Sequence, residues 1–380
     1  MNATRHYLDY NASAPLRKEA RAAMVAALDV CGNPSSIHAE GRAARALVEE
    51  ARYKVAYLCG ARHDGVVFTS GATEALATAL RPAWSVNAAP VTFGALIIGA
   101  TEHACVMQGH GFAPGKLRVA PVHRNGQIDR AALQALLSQT GPAVVAIQLA
   151  NNETGILQDM PEIAALVHQA GGVLVCDGVQ AAGRIDMDMA ALGIDALALS
   201  AHKLGGPKGV GALVMLSSAT LPEAWLRGGG QERRMRGGTE NVAGIAGFGA
   251  AAGAAQAKAD DMRPLRDAFE QALAQLVPEV AIFGAGAPRL PNTSAFAIPG
   301  LSAQTALMAL DLQGIALSSG SACSSGKVAA SHVLQAMQVP PTLASSALRA
   351  SFGYGSTSAD KDALLAALQK IAHRAGALAA

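Results

Sequence analysis

Between residues 65 and 214 the chain repeatedly sets a short run that is apolar at nearly every position ahead of a stretch with helical spacing. The runs are Val66-Val67-Phe68, 95–98, 143–149, Val173-Leu174-Val175 and 196–199. Runs without polar alternation belong to strands covered on both faces, and their alternation with helices is the pattern of βαβ units. The pattern predicts an α/β fold around a mostly parallel sheet with helices on either side, but it does not order the strands. Ahead of this block, 20–28 and 39–58 carry Arg and Glu between Ala, Leu and Val at helical spacing. Behind it, 242–257 is an Ala/Gly tract whose small residues suit a tightly packed helix. The polar stretch Lys258-Ala259-Asp260-Asp261-Met262-Arg263-Pro264 marks a boundary. A further helix, β-like runs at 280–283 and 294–298, and a closing helix from 360 to about 375 predict a smaller α+β unit.

Composition narrows the class. The 380 residues are 51% hydrophobic and 15% charged, which excludes a disordered chain and allows two domains. A net charge of +2 with no long basic run argues against direct nucleic-acid contact and against a membrane-adhering face. Residues 1–9 lack the apolar core of a secretory signal, and no stretch holds roughly 18 bulky apolar residues together. The expectation is a cytoplasmic protein without membrane contact. The five cysteines are far apart and form no Cys-x-x-Cys pair, so neither a disulfide framework nor a local metal site is expected. Cys31, Cys59, Cys105 and Cys176 lie near helical or strand-like segments and are expected in the core.

In a parallel sheet the carboxyl ends of the strands line the ligand crevice, so the polar clusters that end these runs are candidate chemistry. Val173-Leu174-Val175-Cys176-Asp177 ends in a carboxylate, and Leu197-Ala198-Leu199-Ser200-Ala201-His202-Lys203 ends in an amine. Pyridoxal phosphate needs such a pair: a lysine for its Schiff base and an acid that keeps the ring nitrogen protonated. Either residue alone reads more simply as a helix cap or a solvated loop lysine. Phe68-Thr69-Ser70-Gly71-Ala72-Thr73-Glu74 passes from strand to helix, where free amides and the Thr73 hydroxyl either hold a phosphate or merely cap the helix. His103 follows the 95–98 run, placed to lie on a pyridine ring and shuttle protons, or to serve the structure alone. Asn152, in Ala150-Asn151-Asn152-Glu153-Thr154-Gly155, offers a donor to a cofactor oxygen or shapes a turn.

Leu317-Ser318-Ser319-Gly320-Ser321-Ala322-Cys323-Ser324-Ser325-Gly326 surrounds one thiol with small polar residues that cannot build a core. Such composition predicts a mobile, exposed loop, with either a chemical task for Cys323 or a tolerated surface thiol. Arg233-Arg234-Met235-Arg236-Gly237-Gly238-Thr239 combines cations, glycines and a hydroxyl, suited to an anion or to a solvated basic turn. Arg349 interrupts the apolar context of 347–352 and calls for a partner, either an internal acid or a substrate carboxylate.

Together and in this order, the clusters resemble those of cysteine desulfurases of the NifS/IscS type, within the class V aminotransferase group of pyridoxal-phosphate enzymes. The resemblance begins at Leu8-Asp9-Tyr10-Asn11-Ala12 and Gly32-Asn33-Pro34-Ser35-Ser36. It continues through Ser70-Gly71-Ala72-Thr73-Glu74, Thr101-Glu102-His103, Asn151-Asn152-Glu153 and His202-Lys203 to Arg236-Gly237-Gly238-Thr239, 318–325 and Arg349. It implies the type I aspartate-aminotransferase fold. A large cofactor-binding domain would span 14–258, and a small domain built from 1–13 and 259–380 would carry the cysteine loop at about 318–328. By the resemblance, Lys203 would hold the cofactor, Asp177 pair with its pyridine nitrogen, His103 stack on the ring, and Gln180 and Asn152 contact the phenolic-oxygen side. Ala72, Thr73, Ser200 and His202 would hold the phosphate, with Thr239 supplied by the partner subunit of a homodimer. Arg349 and Asn33 would grip the substrate carboxylate. The implied reaction converts L-cysteine to L-alanine, leaves sulfur on Cys323 as a persulfide, and passes it to an acceptor protein for iron–sulfur cluster assembly or thiolation. Two places depart from the common pattern: Ala201, where glycine often precedes His-Lys, and Gly178-Val179, where Ala-Thr is common before Gln180. A selenocysteine lyase or an aminotransferase of the same fold would share Lys203 and Asp177 without needing Cys323.

Overall fold

A computed structural model of the chain describes residues 5–257, 261–319 and 331–374. Among these residues the centre is a seven-stranded sheet in the order Val66–Thr69, Gly211–Met215, Ala196–Ser200, Val173–Asp177, Val144–Ala146, Leu96–Gly99, Leu117–Ala120. Gly211–Met215 runs antiparallel to both neighbours, and every other pair is parallel. The strands ending at Thr69, Gly99, Ala146, Asp177 and Ser200 therefore deliver their carboxyl ends to one edge. The expected mostly parallel sheet is present. Leu117–Ala120, a half-exposed edge strand, and Gly211–Met215 were not among the runs that the apolar pattern singles out.

Side chains alternate across a strand, and here the alternation divides the sheet between two cores. One face presents Phe68, Ile97, Val145, Leu174, Leu197 and Val214 to residues of the Ala39–Leu58, Arg130–Thr140, Met160–Gln169 and Val242–Ala257 helices. The other presents Val67, Ile98, Val144, Val175, Ala198 and Leu213 to the Ala72–Ala79 and Ala104–Gln108 helices. Strands buried on both sides carry no polar alternation, which accounts for the uninterrupted apolar runs.

The Ala/Gly tract forms the Val242–Ala257 helix, packed against Lys18–Leu28 and Ala39–Leu58. A Cβ on Gly249 would lie 2.5 Å from the Ala51 Cα, so only a residue without a side chain admits this approach. Among the described residues no helix is long and apolar enough to cross a membrane. Cys59 and Cys176 are buried as expected. Cys31 is instead exposed, in the connection between the Lys18–Leu28 and Ala39–Leu58 helices, and Cys105 is only half-buried, because it faces a cavity.

A third core gathers Leu8, Phe269, Phe296, Leu310, Leu348, Phe352 and Leu368 beside an antiparallel sheet of Ala281–Ile282, Thr293–Ala297 and Ala347–Ser351. Phe269 meets Phe296 and Phe352 at ring-centroid separations of 5.5 and 5.9 Å. His6–Tyr7 pairs with Ile315–Ala316, which ties the N-terminal segment to the last third of the chain. Phe283, Leu290, Ala295 and Ala347 join the core beneath the main sheet, so apolar packing is continuous across the join.

A Gly249→Val substitution forces methyl groups into Ala51 and is expected to destabilise the fold by on the order of 1–3 kcal/mol. The check is a lower urea midpoint at unchanged slope.

Candidate active site

The strand ends open on a cavity of about 730 Å³. Of the residues singled out from sequence, it is lined by Ala72, Thr73, His103, Asn152, Asp177, Gln180, Ser200, His202, Lys203 and Arg349. Asp9, Asn11, Cys105, Gln148 and Ser318 line it as well.

Lys203 stands in the tight 3-10 turn Ala201–Lys203 that follows the Ala196–Ser200 strand. Its Nζ donates to the backbone oxygens of Asn11 at 2.7 Å and Ala12 at 3.0 Å. Gly205 turns the chain at φ +90°, where a Cβ would lie 2.6 Å from the Arg17 Cγ, and this keeps the sequel to Lys203 compact. Asp177 ends the adjacent strand and accepts the Val179 amide at 3.0 Å. Burial pushes its carboxyl above the ordinary value, against the pull of the Val179 amide, His103 and Lys203. Burial likewise lowers His103, with Lys203 and His332 adding to the effect and Asp177 opposing it. His202 is pushed down to about 4 by burial, Lys203 and Lys208, so it is a neutral ring at pH 7, with Nδ1 3.2 Å from the Ser13 hydroxyl.

The Ala72–Ala79 helix starts at the cavity and points its first amides there. Glu74 in its first turn takes the Ser70 amide at 2.8 Å and the Arg236 guanidinium at 2.9 Å. Burial alone would raise the Glu74 carboxyl, but these partners bring it below its ordinary value.

The opposite wall comes from the antiparallel sheet and the N-terminal segment. Arg349 is 4% exposed. It donates to Asp9 Oδ1 at 2.7 Å and to the Asn152 backbone oxygen at 2.9 Å, while its Nε is buried without a hydrogen-bond partner. Its partner is thus an internal acid, and the guanidinium still borders the cavity. Asn11 joins the two walls: its side-chain amide donates to the Asn152 backbone oxygen at 3.1 Å and Thr293 Oγ1 at 2.9 Å, and its backbone oxygen accepts from Lys203 and Gln180. Gln180 has both ends of its amide engaged, donating to the Asn11 oxygen at 3.0 Å and accepting from Arg184. Arg184 also donates to the backbone oxygens of Tyr10 and Lys203 at 3.2 and 3.3 Å.

Two expected residues, Asn33 and Thr239, are not brought into this constellation within one chain. Asn33 is exposed, its side chain accepting the Ser35 amide at 2.9 Å in a local turn. Thr239 is exposed at a smaller hollow of about 110 Å³ that shares Ser70 and Gly209 with the cavity. The chain leading to it turns through Glu232, Arg233 and Arg234, all at positive φ. A buried bidentate pair holds that turn, with Arg52 donating to Glu232 at 2.8 and 2.9 Å. Cys323 lies outside the described residues, as does all of 320–330. The segment expected to be exposed opens with two buried serines, because Ser318 exchanges backbone hydrogen bonds with Arg349 at 2.7 and 3.4 Å.

The sequence pattern of the aminotransferase class-V family matches residues 6–364. The chain belongs to the class-V aminotransferase family. It is 40% identical to a cysteine desulfurase of Cereibacter sphaeroides, over 98% of this chain and 97% of that protein. It is 38% identical to cysteine desulfurase IscS of Dictyoglomus turgidum, over 96% of this chain and 94% of that protein. Its fold matches a NifS-like protein from Rickettsia africae with a TM-score of 0.87 at 33% identity, covering 97% of this chain and 100% of the other. That match bears out the type I fold implied by the sequence motifs. Membership of the class-V aminotransferases implies dependence on pyridoxal phosphate, and the residues present fit that group. A deep carboxylate that burial leaves short of compensation, an amine on the neighbouring strand and a helix start facing the same space answer its ring nitrogen, aldehyde and phosphate.

Asp9, Asn11 and Arg184 were not named from sequence as site residues. The signal for Asp9 was indirect: an arginine in apolar surroundings calls for an acid, but sequence does not say which one. Asn11 falls in the Leu8–Ala12 motif, but its partners Asn152, Gln180, Lys203 and Thr293 are remote along the chain, and Arg184 joins the nearby Gln180 to the remote Tyr10.

Glu153, beside Asn152, is buried and accepts the Ser331 hydroxyl at 2.5 Å. Burial pushes its carboxyl from 4.5 up to about 7, against Ser331 and Arg349, which pull it down. The folded protein then keeps a proton that the unfolded chain releases. This contribution to stability is full below pH 4.5 and is lost as the pH rises through about 7. Glu153→Gln is expected to remove a pH dependence of at most on the order of 3 kcal/mol. Denaturation at pH 5 and pH 8 checks it, the wild type losing more stability between the two than the variant.

Proposed function

We propose that the chain is a cysteine desulfurase, converting L-cysteine to L-alanine and passing the sulfur through a persulfide on Cys323 to an acceptor protein for iron–sulfur cluster assembly or thiolation. The observation that carries this reading is the meeting of Lys203, Asp177, His103 and Arg349 around one cavity in a class-V aminotransferase. Pyridoxal phosphate, when bound, supplies an aldehyde for the substrate amine and a ring that withdraws electrons from the substrate's α-carbon.

Asp177 would pair with the ring nitrogen and keep a proton on it, since a carboxyl raised by burial is relieved by a cation beside it. His103 would stack on the ring, and Asn152 and Gln180 would contact its phenolic-oxygen side. The first amides of the Ala72–Ala79 helix, with Thr73, Ser200 and His202, hold the phosphate, and Thr239 reaches it from the partner subunit of a homodimer. Arg349, braced by Asp9, orients the substrate carboxylate with help from Asn33. Lys203 would hold the cofactor, and its Nζ would take the α-proton of the substrate. Cys323, as thiolate, attacks the substrate sulfur, forming an S–S bond as the Cβ–S bond breaks. The electron pair of that bond stays with the carbon skeleton, which takes a proton at Cβ, receives one back at Cα from Lys203, and leaves as alanine. Atoms and electrons balance without an outside oxidant. In this reading the protein is cytoplasmic, residues 14–258 form the cofactor-binding domain, and 1–13 with 259–380 form the small domain that brings Cys323 to the cavity.

The test is incubation of the cofactor-loaded protein with L-cysteine, assaying alanine and sulfide and mapping persulfide by mass spectrometry. Lys203→Ala is expected to lower turnover by at least about 10³-fold. Cys323→Ala is expected to abolish the persulfide at that position and to lose alanine formation with it. Alanine released equally well by Cys323→Ala would sink the persulfide step.

A further inference from the structure

The function above leaves Cys105 without a task, yet its thiol borders the cavity beside His103. The Ala104–Gln108 helix is capped by His103, whose Nδ1 accepts the Cys105 backbone N–H at 3.2 Å. A backbone amide only donates, so this nitrogen carries a lone pair and not a proton. Cys105 Sγ lies 3.0 Å from the same Nδ1. With Nδ1 unprotonated, the hydrogen of that contact belongs to sulfur, and the thiol donates.

We propose that Cys105 is a positioning residue for His103: its S–H and its backbone N–H together clamp Nδ1, so that the neutral ring carries its proton on Nε2, and a second proton, which only Nδ1 can take, must displace the clamp. The clamp rests on the reading of His103 as the ring-facing imidazole. What it adds is which nitrogen carries the proton of the neutral ring and what makes it so.

The surroundings agree. Burial pushes the Cys105 thiol up to about 12, with Asp177 and Glu102 adding to the rise and Thr73 opposing it. At that value it is a protonated donor at neutral pH and a poor nucleophile, which separates its task from that proposed for Cys323. Among the described residues, the charged or titratable groups acting on His103 include the Asp177 carboxylate, the Lys203 amine and the His332 imidazole. Lys203 and His332 favour the neutral ring, as burial does, and Asp177 favours the cation. A donor on the Nδ1 lone pair adds to the neutral side, so its removal raises the affinity of His103 for a second proton.

Nitrogen-15 NMR of histidine-labelled holoenzyme tests this, with His103 assigned by its loss in His103→Gln. The wild type is expected to show a neutral ring protonated at Nε2. In Cys105→Ala the His103 titration moves up by on the order of half to one pH unit, and the acid limb of kcat/KM moves with it. Cys105→Ser keeps a donor of similar shape and returns both toward the wild type, which a purely structural loss would not do. Proton on Nδ1 in the wild type, or a titration unmoved by Cys105→Ala, overturns the clamp. Nε2 protonation with the Cys105 shifts intact in a protein that does not turn over L-cysteine supports the clamp and overturns the functional reading instead.

Discussion

Asp177 places a carboxylate at the end of a strand covered on both faces, and accommodating that charge is the constraint on which the site depends. Burial favours its neutral form, and the described structure offers it the Val179 amide together with the fields of His103 and Lys203. Full compensation calls for a cation brought into the cavity. Rigidity under the acid comes from the sheet: Val173–Asp177 has parallel neighbours on both sides, and one of them carries Lys203 a single tight turn beyond its end. A site built on central strands keeps its geometry better than one built on loops.

The second wall is assembled from the two ends of the chain. Arg349 lies in the antiparallel sheet, Asp9 and Asn11 in the N-terminal segment, and Asn152 in the turn after the Val144–Ala146 strand region. Their hydrogen bonds cross sequence separations as large as 340 residues. Ser318 pairs with the Arg349 backbone and Ser331 with Glu153, so the chain on either side of the segment containing Cys323 is fastened to residues at or beside the cavity. These contacts use buried, directional hydrogen bonds, which cost much to leave unmade and so favour one arrangement over its competitors.

The apolar runs made the central sheet legible, because strands buried on both faces have no polar alternation to confuse them with surface segments. The Ala/Gly tract was legible as a packed helix for a related reason: only small residues allow the approach seen between Gly249 and Ala51. The edge strand Leu117–Ala120, the antiparallel Gly211–Met215 and the exposure of Cys31 were not legible, since each depends on what lies beside the segment and not on its own pattern. Asn33 and Thr239 stood out as motif residues, yet within one chain they do not reach the cavity; motif spacing says nothing of which face a residue occupies.

The sequence by itself determined the α/β class, the residue types at the strand tips and the family, because hydrophobic period and motif order are local and survive in one dimension. Tertiary structure decided which of those tips share a cavity, that Asp9, 340 residues away, is the acid that pairs with Arg349, and that Cys105 turns its thiol to His103. Those outcomes depend on close packing and on distances between residues remote in the chain, where a shift of an ångström makes or removes a hydrogen bond.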